Sequence, residues 1–141
     1  MSTIYRSEAG GRRIVQRYRE HLSTWPVPAE HLLLDTRQGE TFALASGHLD
    51  APPVLLLHGS GANSSTWRED IASWSRSFRV FAVDMVGEPG LSAPSRPRLD
   101  TEDVSQWLDD VLDGLGLAAT ALVGMSLGGW SALDYTLRRP E

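Results

Sequence analysis

Between Arg12 and Trp25 the apolar positions Val15, Tyr18, Leu22 and Trp25 fall three and four residues apart, the spacing of one face of an α-helix. The polar face mixes Glu with Arg, which suits a helix lying on the body of a domain. Pro26 and Pro28 of WPVP then end it, because proline cannot extend a helix and drives the residue before it into an extended conformation. Two short runs follow, HLLLDT (31–36) and TFALAS (41–46); RQGE joins them, with Gly39 for the turn, so they predict a hairpin. PVLLLHG (53–59), RVFAVD (79–84) and TALVG (120–124) are short and almost wholly apolar, as strands buried on both faces of a parallel sheet are. Helical stripes separate them: Trp67, Ile71 and Trp74, then Val104, Leu108, Val111 and Leu115. Asp100, Glu102 and Asp103 lead into the second, where the helix dipole favours anions. A last stripe, Trp130, Leu133 and Leu137, follows the final strand. Strands alternating with helices of this length imply right-handed βαβ units and an open α/β sheet. GEPGLSAPSRPR (87–98) reads as a surface loop punctuated by Pro and Gly.

Composition narrows the chemistry. A length of 141 residues with 41% hydrophobic content fits one domain with its own core. The net charge of −5, without any basic cluster interleaved with aromatics, argues against a nucleic-acid partner. The run from Pro52 to His58 is too short to cross a bilayer and the N-terminus lacks the apolar core of a leader, so no membrane partner and a cytoplasmic location are expected. There is no Cys and no Lys, and all 13 positive side chains are Arg. Thiol nucleophiles, disulfides, Schiff bases and the G-x-x-x-x-G-K-[ST] phosphate loop are therefore excluded. His21, His31, His48 and His58 show no ligand spacing, so neither a metal nor a cofactor is expected.

The candidate chemistry lies in ALVGMSLGGW (121–130), where a strand runs through Gly124-Met125-Ser126-Leu127-Gly128 into a helical pattern. A sharp strand-to-helix turn of this kind strains the backbone of its serine and requires small residues at Gly124 and Gly128. It presents the Ser126 hydroxyl at a helix N-terminus, with the Leu127 N–H directed to where an oxyanion would form. Taken alone, the motif is equally a Gly-rich turn with an ordinary serine. LLLHGSGANSSTW tips the balance, because His58-Gly59 ends a strand and opens a loop of small residues. The Ser60 N–H is the candidate second oxyanion donor, with Gly61 the weaker one. His58 is read as structural, bonded to loop backbone, rather than as the general base. The same stretch approximates a dinucleotide fingerprint, with Gly59-x-Gly61 after a strand and Asp84 ending the next. That pattern breaks at Ser64, where the third glycine is due, opens weakly into a helix, and leaves the later turn unexplained.

On the hairpin, the strand ending in His58-Gly59 with Trp67 beyond it, VFAVDMVGEPGLS (80–92) and LVGMSLGGW, the chain resembles the N-terminal half of α/β-hydrolase fold proteins, in their bacterial carboxylesterase-like branch. The resemblance implies a mostly parallel open sheet flanked by helices. An extra N-terminal helix and Pro-rich linker would occupy 1–28, and the sheet and helices through the nucleophile elbow 29–141, in a single domain lacking its C-terminal part. It also implies that Ser126 attacks the acyl carbon of a small-molecule ester while the N–H groups of Leu127 and Ser60 hold the oxyanion, with Asp84 structural. The family commonly shows D-x-x-G-x-G-x-S; this chain has one residue more, Asp84-x-x-Gly87-Glu88-Pro89-Gly90-x-Ser92, and so resembles a subgroup of esterase-like hydrolases that also carry a WPVP-like segment. The family order is Ser, acid, His, yet all four His precede Ser126, and the acids after it are Asp134 and Glu141. The expectation is a fragment, nearly inactive alone, whose apolar edge at 120–124 is covered by a missing half or a second polypeptide. An acyltransferase or perhydrolase would use the same serine, and a catalytically inactive ligand-binding domain is the alternative from another class.

Overall fold

The computed structural model describes residues 4–140. Its first helix, α1 (Glu8–Ser23), starts a turn earlier than the apolar stripe suggests. Ser7 is extended, and its hydroxyl accepts the Gly10 N–H at 3.0 Å, an N-cap that offsets two helix-weakening glycines. β1 (Ala29–Leu34), β2 (Thr41–Ser46), β3 (Pro53–Leu57), β4 (Arg79–Val83) and β5 (Ala121–Gly124) form one five-stranded sheet in the order β1-β2-β4-β3-β5. The expected hairpin is β1-β2, with Ala29 opposite Ser46; β2 is antiparallel to β4, and β4, β3 and β5 run parallel.

Alternate residues of each strand serve opposite faces, as the pleat requires. On one face Tyr18 and Leu22 of α1 join Trp67 and Ile71 over Leu44, Leu56 and Val80. On the other, α3 (Asp103–Leu115) lays Trp107, Leu108 and Val111 over Ala45, Leu55 and Val83. The indole N–H of Trp107 donates to the Thr41 hydroxyl at 3.0 Å, so this fully buried ring leaves no polar atom unpaired. The stripe Trp67, Ile71, Trp74 is not one helix but a 3₁₀ turn at Ser64–Trp67 followed by the single-turn α2 (Ile71–Trp74). Asn63 caps the turn through the Ser65 N–H, and Arg68 reaches back to the carbonyl oxygens of His21 and Thr24, pinning the segment between them.

The last stripe faces the other way from expectation. α4 (Leu127–Arg138) packs through Leu127, Gly128, Ser131, Ala132 and Tyr135, whereas Trp130, Leu133 and Leu137 are 39%, 61% and 73% exposed. β5 is the exposed apolar edge expected at 120–124: among the described residues it pairs only with β3, and Val123 and Met125 are also exposed. Gly128 and Ser131 stand where α4 comes closest to the sheet, flanked by Leu127 and Tyr135, which leaves Trp130, Leu133 and Leu137 outside. Tyr135 and Arg139 fasten the helix to α3 through Asp109, each at 2.8 Å.

Candidate active site

β5 runs into Met125, whose N–H still donates to the Leu57 carbonyl at 3.0 Å, continuing the parallel ladder by one residue. The next residue breaks from it. Ser126 has φ 53° and ψ −114°, and among the described residues it is the sole non-glycine with positive φ. Such a conformation costs about 1–3 kcal/mol and persists only where the surroundings impose it. Here they do: a Cβ on Gly128 would overlap the Leu57 carbonyl and sit 2.6 Å from the His58 carbonyl oxygen, and one on Gly124 would overlap the Gly128 carbonyl. The Trp130 N–H bonds to the Ser126 carbonyl at 2.9 Å and starts the helix. The Ser126 side chain makes no capping bond, stands exposed, and points from a helix N-terminus where the backbone dipole favours negative charge.

The loop after β3 lies alongside, since a Cβ on Gly59 would be 3.5 Å from that of Ser126. His58 is fully buried; the Met85 N–H donates to its Nε2 at 2.9 Å, so Nδ1 carries the proton and donates to the Gly59 carbonyl at 2.8 Å. With both nitrogens engaged, His58 has no free site for the Ser126 proton. The Ala62 N–H returns to the Gly59 carbonyl at 3.3 Å, and Gly61 has φ 74°, a type II turn with Ser60 and Gly61 at its centre. The N–H groups of Ser60 and Leu127 find no acceptor among the described residues. Both residues line a cavity of about 520 Å³ whose other walls include Tyr5, Met85, Val86 and Trp107. The Gly61 N–H, the weaker candidate from the sequence, is taken by the Glu88 carboxylate at 2.8 Å. The Tyr5 hydroxyl is buried with no partner among the described residues, and burial, then the charge of Asp84, raises its pKa above the ordinary value.

Asp84 is fully buried and accepts three hydrogen bonds: from the Tyr18 hydroxyl (2.8 Å) and the Ser64 N–H (2.9 Å) on Oδ1, and from the Leu91 N–H (3.0 Å) on Oδ2. Burial, and then that carboxylate, push the Tyr18 phenol far above its usual range, so it remains a donor. Ser92 completes the knot, donating to the Asp84 carbonyl at 2.6 Å and accepting the Phe42 N–H at 2.8 Å. Asp84 thus ties α1 to the loops after β3 and β4, sealed from any ribose, which removes the dinucleotide reading. Tyr18→Phe takes away one of the three donors and is expected to lower unfolding stability by about 1–3 kcal/mol, read as a lower urea midpoint at unchanged slope.

Residues 54–139 match the profile of the alpha/beta hydrolase family. The chain belongs to that family. It is 41% identical over 140 residues to the uncharacterized carboxylesterase nap of Bacillus subtilis, covering 99% of this chain and 47% of that protein. To carboxylesterase YbfK of the same organism it is 43% identical over 131 residues, 93% of this chain and 44% of the relative. The crystal structure of naproxen esterase (carboxylesterase NP) from Bacillus subtilis superimposes with a TM-score of 0.87 at 40% identity, covering 97% of this chain and 48% of that one. The chain spans about half the length of the curated relatives it matches. The described residues bring near one another the three positions that the sequence singled out: Ser60 and Leu127 line the cavity, and Ser126 stands beside it rather than in its lining. They do not bring a base: none of the four His lines the cavity, and Asp134 is engaged by Ser105 and Arg138. Glu141 lies outside the described residues. Among those residues no cluster of His, Asp or Glu could hold a metal ion, and no helix is long and apolar enough to cross a membrane.

Proposed function

We propose that this chain carries the nucleophile and oxyanion side of a serine carboxylesterase acting on a small-molecule ester. The observation that carries this reading is the strained, glycine-enforced backbone of Ser126 beside two N–H groups that have no acceptor among the described residues. Ser126 Oγ attacks the acyl carbon as its proton passes to a base, and the carbonyl oxygen becomes an oxyanion held by the N–H groups of Leu127 and Ser60. The C–O bond to the alcohol then breaks, the alcohol leaves with that proton, and water releases the acid from Ser126. Each oxyanion donor is worth roughly 100-fold to 1,000-fold in turnover. The base and its acid come from polypeptide beyond residues 1–141, which also covers the outer side of β5 and α4. The identity with the two Bacillus carboxylesterases supports the reaction class.

Intact-mass spectrometry after a fluorophosphonate probe tests the reading. Residues 1–141 alone should take up no probe, and the longer chain or complex that supplies the acid and histidine should gain one adduct on Ser126. An assembled protein that stays unlabelled, or is labelled elsewhere, would sink the proposal.

A further inference from the structure

The loop after β4 has one residue more than the D-x-x-G-x-G-x-S pattern, and the reaction outlined above gives Glu88 no part. Glu88 lines the cavity and accepts the Gly61 N–H on Oε2 at 2.8 Å. Beside it the Pro89 carbonyl accepts from Asn63 Nδ2 at 2.9 Å, while Asn63 Oδ1 accepts the Ser65 N–H at 3.0 Å. The loops after β3 and β4 are therefore tied at the rim of the cavity by Glu88 and Pro89, as Asp84 ties them underneath.

What Glu88 holds is the central peptide of the type II turn, made of the Ser60 carbonyl and the Gly61 N–H. Rotating that peptide by about half a turn gives a type I turn at little cost to the flanking chain, so the turn by itself has two accessible forms. In the rotated form the Ser60 carbonyl oxygen would replace the Gly61 N–H opposite the Glu88 carboxylate, setting oxygen against anionic oxygen. Glu88 thus selects one form. The Ser60 N–H belongs to the preceding peptide, which points the same way in both turn types, so Glu88 acts on it by tying the turn to the loop after β4. That N–H finds no acceptor among the described residues.

We propose that Glu88 is a positioning residue: by anchoring the Ser60–Gly61 turn to the loop after β4 it keeps the Ser60 N–H in place for the carbonyl oxygen of the substrate. The proposal rests on the ester-hydrolase reading above and names the device that fixes one of its two donors.

The test compares Glu88→Ala with Glu88→Gln, whose amide oxygen still accepts a hydrogen bond. In proton–nitrogen NMR spectra of residues 1–141, Glu88→Ala should speed exchange of the Gly61 amide about tenfold or more and move its proton upfield, with Glu88→Gln between it and the wild type. In the assembled enzyme Glu88→Ala should lower kcat about tenfold, less than loss of a whole donor, with KM nearly unchanged, and Glu88→Gln should recover most of it. An unaltered Gly61 amide in Glu88→Ala overturns the proposal, and so does a released amide with unchanged kcat. Ser126→Ala is run in parallel. If that variant hydrolyses esters like the wild type, it is the hydrolase reading that has failed, and the amide measurement alone then supports or overturns the lock.

Discussion

Ser126→Ala is expected to lower ester turnover by the assembled enzyme roughly a millionfold, because nucleophile and base act as a unit and only binding and the oxyanion donors remain without them. The substitution should leave the fold alone. Alanine meets the same unfavourable backbone angle as serine, and no capping hydrogen bond is lost, since the side chain of Ser126 forms none with α4. Stability should stay within about 0.5 kcal/mol of the wild type. Steady-state turnover beside a urea unfolding curve checks both halves. A variant that folds normally and keeps more than about 1% of wild-type turnover would remove Ser126 from the reaction.

Gly128→Ala should have the largest effect on stability, at least about 4 kcal/mol, or prevent folding altogether. Its new methyl group would overlap the carbonyl of Leu57, and that carbonyl cannot retreat: Leu57 sits in β3, paired with Val83 on one side and Gly124 on the other. The helix would have to lift away instead, carrying Ser126 with it. Gly129→Ala, one residue on, provides the comparison, because a Cβ there would lie 3.3 Å from the Gly124 carbonyl oxygen. The gain in helix propensity offsets that crowding, so stability should change by no more than about 1 kcal/mol. Equal urea midpoints for the two variants would mean that α4 and β3 are not in the close contact described.

How far the sequence predicts this molecule depends on how local each feature is. TFALAS coincides with β2, since a short apolar run ending in a turn is a local property. The elbow is legible for the same reason: glycines two residues either side of Ser126 are what the turn itself demands. The start of α1 was hidden by Gly10 and Gly11, although the capping Ser7 was there to be read. Periodicity marked Trp130, Leu133 and Leu137 as one helix face but could not say that the opposite face, with Gly128 and Ser131, would be the one against the sheet. The contacts that shape the site span distances no local pattern encodes. Tyr18 meets Asp84 across 66 residues, and Gly61 meets Glu88 across 27. The one hint was the extra residue near Glu88, which marked the place without revealing the partner.

The geometry of the turn separates where the side chain of residue 126 stands from what that side chain is. Two glycines and a strand carbonyl determine the place of residue 126, and its own hydroxyl takes no part in capping the helix. The arrangement works as a fixed mount with an exchangeable tip. A thiol or a carboxylate at the same position would stand in the same place, so under the proposed reading a single codon could change the chemistry while the mount stays where it is.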